Sequence, residues 1–162
     1  DCMNISNYLD AIAKPFQGLA PWILRLVLGT SFILHGSGKF PLPPEGMVIW
    51  FESMGIFAPE IVASMVALGE VGAGAAIILG GALGSSGHLI TRLAGGAVVV
   101  IMIGALYLAH SSWFADFLTP FVDGDIEVCS NLKSRPGYMH FIYSEQMYLL
   151  FLGLYFAIKG NN

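Results

Sequence analysis

The chain has 162 residues, of which 56% are hydrophobic and only 11% are charged, and its formal net charge at pH 7 is −4. A soluble domain usually carries about 25% charged residues, so this composition excludes a water-soluble globule and indicates an integral membrane protein. The negative charge excludes a basic nucleic-acid-binding protein, and two cysteines without a C-x-x-C motif exclude a zinc ribbon or an iron–sulfur cluster held within the chain.

Stretches of low charge predict the membrane-spanning helices. A bilayer core about 30 Å thick requires about 20 residues of apolar helix, and four segments approach this length when their flanking turns are included. The predicted spans are about 20–39, 59–84, 88–110 and 139–159. The predicted fold is therefore all-α, an integral membrane four-helix bundle in a single domain, with a long extramembrane loop over residues 111–138.

Short amphipathic segments lie beside these spans. Residues 4–19 and 47–57 place apolar side chains at helical spacing, and so do the aromatic residues of the long loop. The side chains concerned are Ile5, Leu9, Ile12, Phe16, Leu19, Met47, Trp50, Phe51, Met54, Phe57, Trp113, Phe114, Phe117 and Phe121. Such helices either lie in the membrane interface or pack against the protein's own loops. We expect short interfacial helices beside the bundle, with both interpretations open for each segment.

Four spans place both termini on the same side of the membrane. That side holds four basic residues and the opposite side three, namely Lys14, Arg25, Arg92 and Lys159 against Lys39, Lys133 and Arg135. Basic residues favour the cytoplasmic side, so we expect a multi-pass protein of the inner (plasma) membrane with cytoplasmic termini. Cys2 and Cys129 then lie on opposite sides of the membrane and cannot pair with each other.

A stripe of small residues follows the second predicted span. Its members recur at steps of three and four, and they are Gly69, Ala73, Ala76, Gly80 and Gly84. Membrane helices associate by close backbone approach across such stripes, because lipid gives apolar side chains no reason to leave it. The stripe predicts packing inside the bundle or, alternatively, a seam between copies of the chain.

Two histidines and two glutamates within the predicted spans are the candidate site residues, and they are His35, Glu70, His110 and Glu145. A charge at mid-bilayer costs roughly 2.5–3.5 kcal/mol on insertion scales, so each requires a partner or a function. The predicted topology brings all four to the half of the bundle beside the long loop, where Lys39 can neutralise a carboxylate. We expect Arg25 and Arg92 to extend to the headgroups or to pair with each other.

Three interpretations of this cluster compete. In a structural network, a carboxylate satisfies each histidine. In a quinone or proton site, a histidine donates a hydrogen bond to a quinone carbonyl and a glutamate relays the proton taken up on reduction. Two histidines and two carboxylates also match many divalent-ion sites, but the i, i+3 Glu–His spacing of di-iron bundles is absent, so we assign no metal ligands.

The same residues resemble the DoxX family of small four-helix bacterial and archaeal membrane proteins. The opening pattern of that family, R-x-x-x-G-x-x-F-x-x-H-G-x-x-K, is similar to the run from Arg25 to Lys39. The resemblance covers most of residues 22–160, and its further marks are Leu68-Gly69-Glu70, Thr91-Arg92-Leu93-Ala94, His110, Gly137 and Glu145.

The resemblance implies a role in membrane redox chemistry, because the family includes the membrane subunit of thiosulfate:quinone oxidoreductase and members associated with redox-stress complexes. The positions carried over are Arg25, His35, Lys39, Glu70, Arg92, His110 and Glu145. The first hypothesis is a quinone-linked oxidoreductase subunit, in which His35, Lys39 or His110 contacts the quinone and His35, Glu70, His110 and Glu145 are the candidate catalytic residues.

Electrons must then arrive from a partner subunit, because the sequence contains no cofactor motif and no cysteine cluster. The cofactor expected is a non-covalently bound quinone, and the expected partners are the lipid bilayer and other subunits of a membrane complex, with no nucleic acid. Two other classes remain open. One is a non-catalytic accessory subunit of a respiratory or photosynthetic assembly, which predicts a fully self-paired His/Glu cluster with no cavity beside it. The other is a small transporter or channel, although no inverted repeat is visible.

Overall fold

The computed structural model describes residues 5–109 and 145–161, and all regular secondary structure in these two ranges is helical. The all-α membrane fold expected from the sequence is thereby confirmed. His110, the long loop 111–138, the first part of the predicted fourth span and both cysteines lie outside the described residues.

Six α-helices and one 3-10 turn make up the described chain. They are α1 (Ile5–Ala13), the 3-10 turn (Lys14–Phe16), α2 (Ala20–Ser37), α3 (Glu45–Ser53), α4 (Pro59–Ala82), α5 (Gly84–Ala109) and α6 (Glu145–Lys159). Pro21 and Pro59 lie in the first turns of α2 and α4, where the missing N–H needs no helical partner. Gly84 begins α5 with a φ of +57°, which glycine adopts without strain, so α5 follows α4 almost directly.

The described helices differ in their capacity to cross a membrane. α4 and α5 are each long and apolar enough to cross a membrane. α2 is long and apolar enough only when it is combined with α1 and the 3-10 turn, and the axis bends by 53° between these two parts. The described ranges therefore contain two membrane-crossing helices, or three if the bent pair forms one span. α6 is described over 15 residues, and what precedes it falls outside the described ranges.

The helices pack in the order α2, α4, α5, α6. α4 packs against α2 and α5, α6 packs mainly against α5, and a smaller contact between α2 and α6 brings the ends of this series together. The core between them consists of apolar side chains contributed by all four helices, with Phe32, Ile77, Val98 and Phe156 almost completely buried. This arrangement leaves α1 without a buried residue, whereas α3 packs against α4 and buries Phe51.

Glycines bring the helix backbones into direct contact at two of these interfaces. A Cβ atom added at Gly29 of α2 would lie 2.7 Å from the carbonyl oxygen of Gly74 in α4, and one at Gly95 of α5 would lie 2.7 Å from that of Gly153 in α6. Both distances are too short for a side chain, so these glycines permit the close approach by which membrane helices associate.

The small-residue stripe expected along the second span is only partly an interface of α4. Ala73 and Gly80 are buried inside the bundle, and Gly80 approaches Thr91 of α5. Gly84 instead begins the next helix, and a Cβ atom placed there would contact nothing. The interpretation as packing within the bundle therefore holds for the central members of the stripe.

Candidate functional site

One end of the bundle contains a buried arginine. The Arg25 side chain is 3% exposed, and its guanidinium lies over the ring of Phe156, 4.8 Å from the ring centroid. Nη1 donates to the carbonyl oxygen of Ile77 at 2.8 Å and to Thr91 Oγ1 at 3.0 Å, and Nη2 donates to Asn161 Oδ1 at 2.7 Å and to the carbonyl oxygen of Gly160 at 3.2 Å. All four acceptors are uncharged.

Asn161 completes this arrangement from the segment that follows α6. Its side-chain amide donates to the carbonyl oxygen of Gly80 at 2.8 Å, and its backbone N–H donates to Nδ1 of His88 at 3.2 Å. The Thr91 hydroxyl, which accepts from Arg25, donates to Asn161 Oδ1 at 2.7 Å. We call Arg25, Thr91, Gly160 and Asn161 the arginine cluster.

The expectation that Arg25 extends to the headgroups or pairs with Arg92 is wrong, because Arg25 is buried among neutral acceptors supplied by three elements of the bundle. Arg92, by contrast, is exposed and donates through Nε to the carbonyl oxygen of Ala157 at 3.0 Å. Sequence reasoning missed Asn161 because it lies beyond the last predicted span, where no apolar pattern marks it.

The opposite end of the bundle contains a cavity of about 410 Å³. Its apolar wall includes aromatic and aliphatic side chains from α2 to α6, among them Phe32, Trp50, Phe51, Val66, Val100, Met102, Leu108 and Leu149. Four ionisable residues also line it, and they are His35, Lys39, Glu70 and Glu145. The volume falls within the range of about 300–1,000 Å³ that is common for small-molecule sites.

Two of these ionisable residues form a pair between α2 and α6. His35 Nε2 lies 3.1 Å from Glu145 Oε1, and the Ser31 hydroxyl donates to the same oxygen at 3.0 Å. The side chains of His35 and Glu145 are 48% and 57% exposed, so the pair is accessible. Ser31 lies four residues before His35 on one face of α2, and this spacing is the signal by which the sequence could have identified it.

The other two form an ion pair deeper in the bundle. Lys39 Nζ contacts Glu70 Oε2, and it also donates to the backbone carbonyl oxygen of His35 at 3.3 Å. The Glu70 side chain is 7% exposed and that of Lys39 is 22% exposed. A buried carboxylate of this kind is tolerated in a membrane because a cation lies directly against it.

The structure therefore brings together four of the five predicted site residues around one cavity, and the fifth, His110, lies outside the described residues. Lys39 neutralises Glu70, as expected of one of the carboxylates. Within residues 5–109 and 145–161, no three His, Cys, Asp or Glu side chains converge as a metal site would require.

The fold and the site define a helical integral membrane protein with a polar-edged cavity between its helices. The family model of DoxX matches residues 20–111, which is more than half of the chain, so the chain belongs to the DoxX family. Comparison with curated proteins and with solved structures found no match. The matched range contains Arg25, His35, Lys39 and Glu70, whereas Glu145 and Asn161 lie beyond it.

Proposed function

We propose that the chain is the membrane subunit of a quinone-linked redox complex, and that the cavity holds the quinone headgroup. The observation that carries this proposal is the cavity of about 410 Å³ with hydrogen-bonding side chains at its polar edge. A quinone headgroup is a flat apolar ring with carbonyl oxygens that accept hydrogen bonds. Aromatic walls such as Trp50 and Phe51 suit the ring, and His35 and Lys39 are the donors that suit the oxygens.

His35 is the residue best placed to bind and protonate a quinone oxygen. Its side chain is half exposed, and Nε2 lies 3.1 Å from Glu145 Oε1, so a proton can pass between the two groups without rearrangement. Histidine titrates near neutral pH and is therefore suited to alternate between donor and acceptor. Ser31 holds the Glu145 carboxylate toward the imidazole by donating to the same oxygen.

Reduction of a quinone to a quinol takes up two electrons and two protons. The chain has two cysteines and no cofactor motif, so the electrons come from a partner subunit that bears a redox centre. The protons pass through this chain's own groups. Glu145 is accessible at the polar edge, and the buried Glu70, paired with Lys39, is a second proton-carrying group. Tight pairing of Lys39 with Glu70 keeps the interior of the cavity close to neutral overall.

The accessory-subunit hypothesis has one observation in its favour. Each of the four ionisable side chains that line the cavity already has a partner in the structure, as a purely structural network requires. The same hypothesis also predicts no cavity beside the cluster, and a cavity is present. The open space therefore favours a ligand-binding role over a scaffolding role.

The test is quinone reduction by the purified complex in proteoliposomes, with thiosulfate as the first electron donor. We expect His35→Ala and Glu145→Gln to lower kcat by about a hundredfold or more, as loss of a general acid does. Glu60→Gln is the control, because Glu60 is exposed in the first turn of α4 and does not line the cavity. Unchanged rates per assembled complex in both cavity variants would contradict the proposal and support the accessory role.

A second experiment tests the requirement for a partner. Tagged protein purified from native membranes in mild detergent is analysed by mass spectrometry for stoichiometric companions. We expect a subunit that carries a redox cofactor or handles sulfur compounds. Recovery of the chain alone, or only as copies of itself, would count against both a redox subunit and an accessory subunit, and would favour a small transporter.

A further inference from the structure

The ionisable side chains that line the cavity come from the α2, α4 and α6 side, and α5 contributes none of them. His35 of α2, Lys39 just after the end of α2, Glu70 of α4 and Glu145 of α6 supply every ionisable side chain in its lining. α5 supplies only glycine, alanine and aliphatic or methionine side chains to the same cavity. A ligand that fills this space therefore has a polar part directed to α2 and α6 and an apolar part against α5.

The α5 wall is also where the cavity reaches the outer surface of the bundle. Val100 lines the cavity and yet is 71% exposed, so it stands at the rim rather than inside. Gly104 lies one turn further on and also lines the cavity, and a Cβ atom added there would meet nothing within 4 Å. The absence of a side chain at Gly104 therefore leaves a gap in the rim of the cavity. We call Val100 and Gly104 the lateral opening.

The lateral opening lies at the depth of lipid chains. With a rise of about 1.5 Å per residue, Val100 and Gly104 lie about 14 and 8 Å along the helix from Ala109, where the described part of α5 ends. α5 has 26 residues and is longer than a bilayer core about 30 Å thick requires, so both positions fall within the hydrocarbon region.

We propose that the lateral opening admits a ligand directly from the bilayer and that it holds the ligand's apolar tail against Gly104, between the cavity and the lipid. This inference rests on the proposed function, because it identifies the tail as the isoprenoid chain of a membrane quinone whose headgroup reaches His35. The absence of a side chain at position 104 then determines whether long-chain quinones bind, while the polar edge determines how the headgroup is held.

The test compares two leucine substitutions on the same helix. Gly104→Leu places a side chain in the lateral opening. Gly96→Leu is the matched control, because a Cβ atom at Gly96 also meets open space, but Gly96 does not line the cavity. Both variants exchange a helical glycine for a residue that favours helix, so their effect on α5 itself is alike.

Binding is measured on the full chain in lipid nanodiscs by quenching of Trp50 fluorescence, since Trp50 lines the cavity. A Trp50→Phe variant supplies the signal to subtract. The probes are a long-chain ubiquinone and a ubiquinone analogue without the isoprenoid tail. We expect Gly104→Leu to weaken binding of the long-chain probe by about tenfold, equivalent to about 1.4 kcal/mol, and to leave the tail-less probe within about twofold. Gly96→Leu should change neither.

The outcomes separate this inference from the proposed function. If the unaltered protein binds both probes and Gly104→Leu behaves like Gly96→Leu, entry through the lateral opening is wrong and the headgroup site stands. If Gly104→Leu weakens binding of both probes equally, the proposal that the lateral opening contacts only the ligand's tail is also wrong. If the unaltered protein quenches with neither probe, the proposed function itself fails. Gly104→Ala provides a smaller substitution, and with it we expect a weaker effect of the same selectivity.

Discussion

The two ends of the bundle differ in how their polar side chains are satisfied inside the membrane protein. At one end, the Arg25 guanidinium is 3% exposed and satisfied entirely by neutral oxygens from three elements. At the other end, Glu70 and Glu145 have cationic or imidazole partners, but those partners line a cavity and His35 is half exposed. Polar groups without adjoining space hold helices together, whereas paired polar groups beside open space are available to a ligand.

The largest effect we expect comes from removing the centre of the arginine cluster. Arg25→Ala leaves two carbonyl oxygens and the Thr91 hydroxyl oxygen without their Arg25 donor, removes one of the two donors to Asn161 Oδ1, and opens a hole beside Phe156. We expect a loss of about 3–5 kcal/mol in the free energy of unfolding, measured by denaturant titration in detergent. Arg25→Lys should recover only part of it, because an ammonium cannot reproduce the planar fork of donors.

Arg92→Ala is the control for this measurement. Arg92 is exposed and donates one hydrogen bond to the carbonyl oxygen of Ala157, so its loss should cost less than about 1 kcal/mol. If Arg25→Ala were no more destabilising than Arg92→Ala, the arginine cluster would not hold the helices together, and the contrast between the two ends would disappear.

A smaller effect is expected at the acceptor that joins the end of α6 to the rest of the cluster. Asn161→Ala removes one acceptor from Arg25 and one donor to the carbonyl oxygen of Gly80. We expect a loss of about 1–2 kcal/mol, and faster hydrogen exchange in the last turn of α6 than in α4. Exchange that rises equally in both helices would instead indicate a change spread through the whole bundle.

The smallest effect on stability is expected from Ser31, at the polar edge of the cavity. Ser31→Ala removes one hydrogen bond to an exposed carboxylate, so the free energy of unfolding should change by less than about 1 kcal/mol. Under the proposed function, the rate of quinone reduction by the complex should nevertheless fall several-fold, with rescue by Ser31→Thr, because the Glu145 carboxylate loses its orientation. A loss of stability without a change in rate would assign Ser31 to the framework instead.

The sequence was sufficient to predict the all-α membrane fold and the convergence of four ionisable side chains at one end of the bundle. A single charge in a long apolar run is costly in a membrane, so the positions of His35, Lys39, Glu70 and Glu145 were themselves evidence that they meet. The alternation of charged connections and apolar runs likewise predicts helices, because the bilayer leaves few other ways to satisfy the backbone.

The surroundings of Arg25 could not be predicted in this way. Two of its acceptors are backbone carbonyl oxygens of Ile77 and Gly160, and a carbonyl oxygen has no signature in the sequence. Its other main partner, Asn161, lies outside any apolar run. The cavity was equally hidden, because it depends on how far α3, α4 and α5 stand apart and not on the type of any one residue.

The contact between Gly29 and Gly74 limits how α2 and α4, which carry His35 and Glu70, can move relative to each other. The backbones of α2 and α4 already touch there, with the Ile33 and Ile78 side chains packed against the glycines, so the two helices cannot move closer together. α3 is a short wall of the cavity, and its main packing partner is α4. If the cavity holds a ligand as proposed, we expect ligands of different size to displace α3, while the close contact of α2 with α4 keeps His35 and Glu70 at a constant separation.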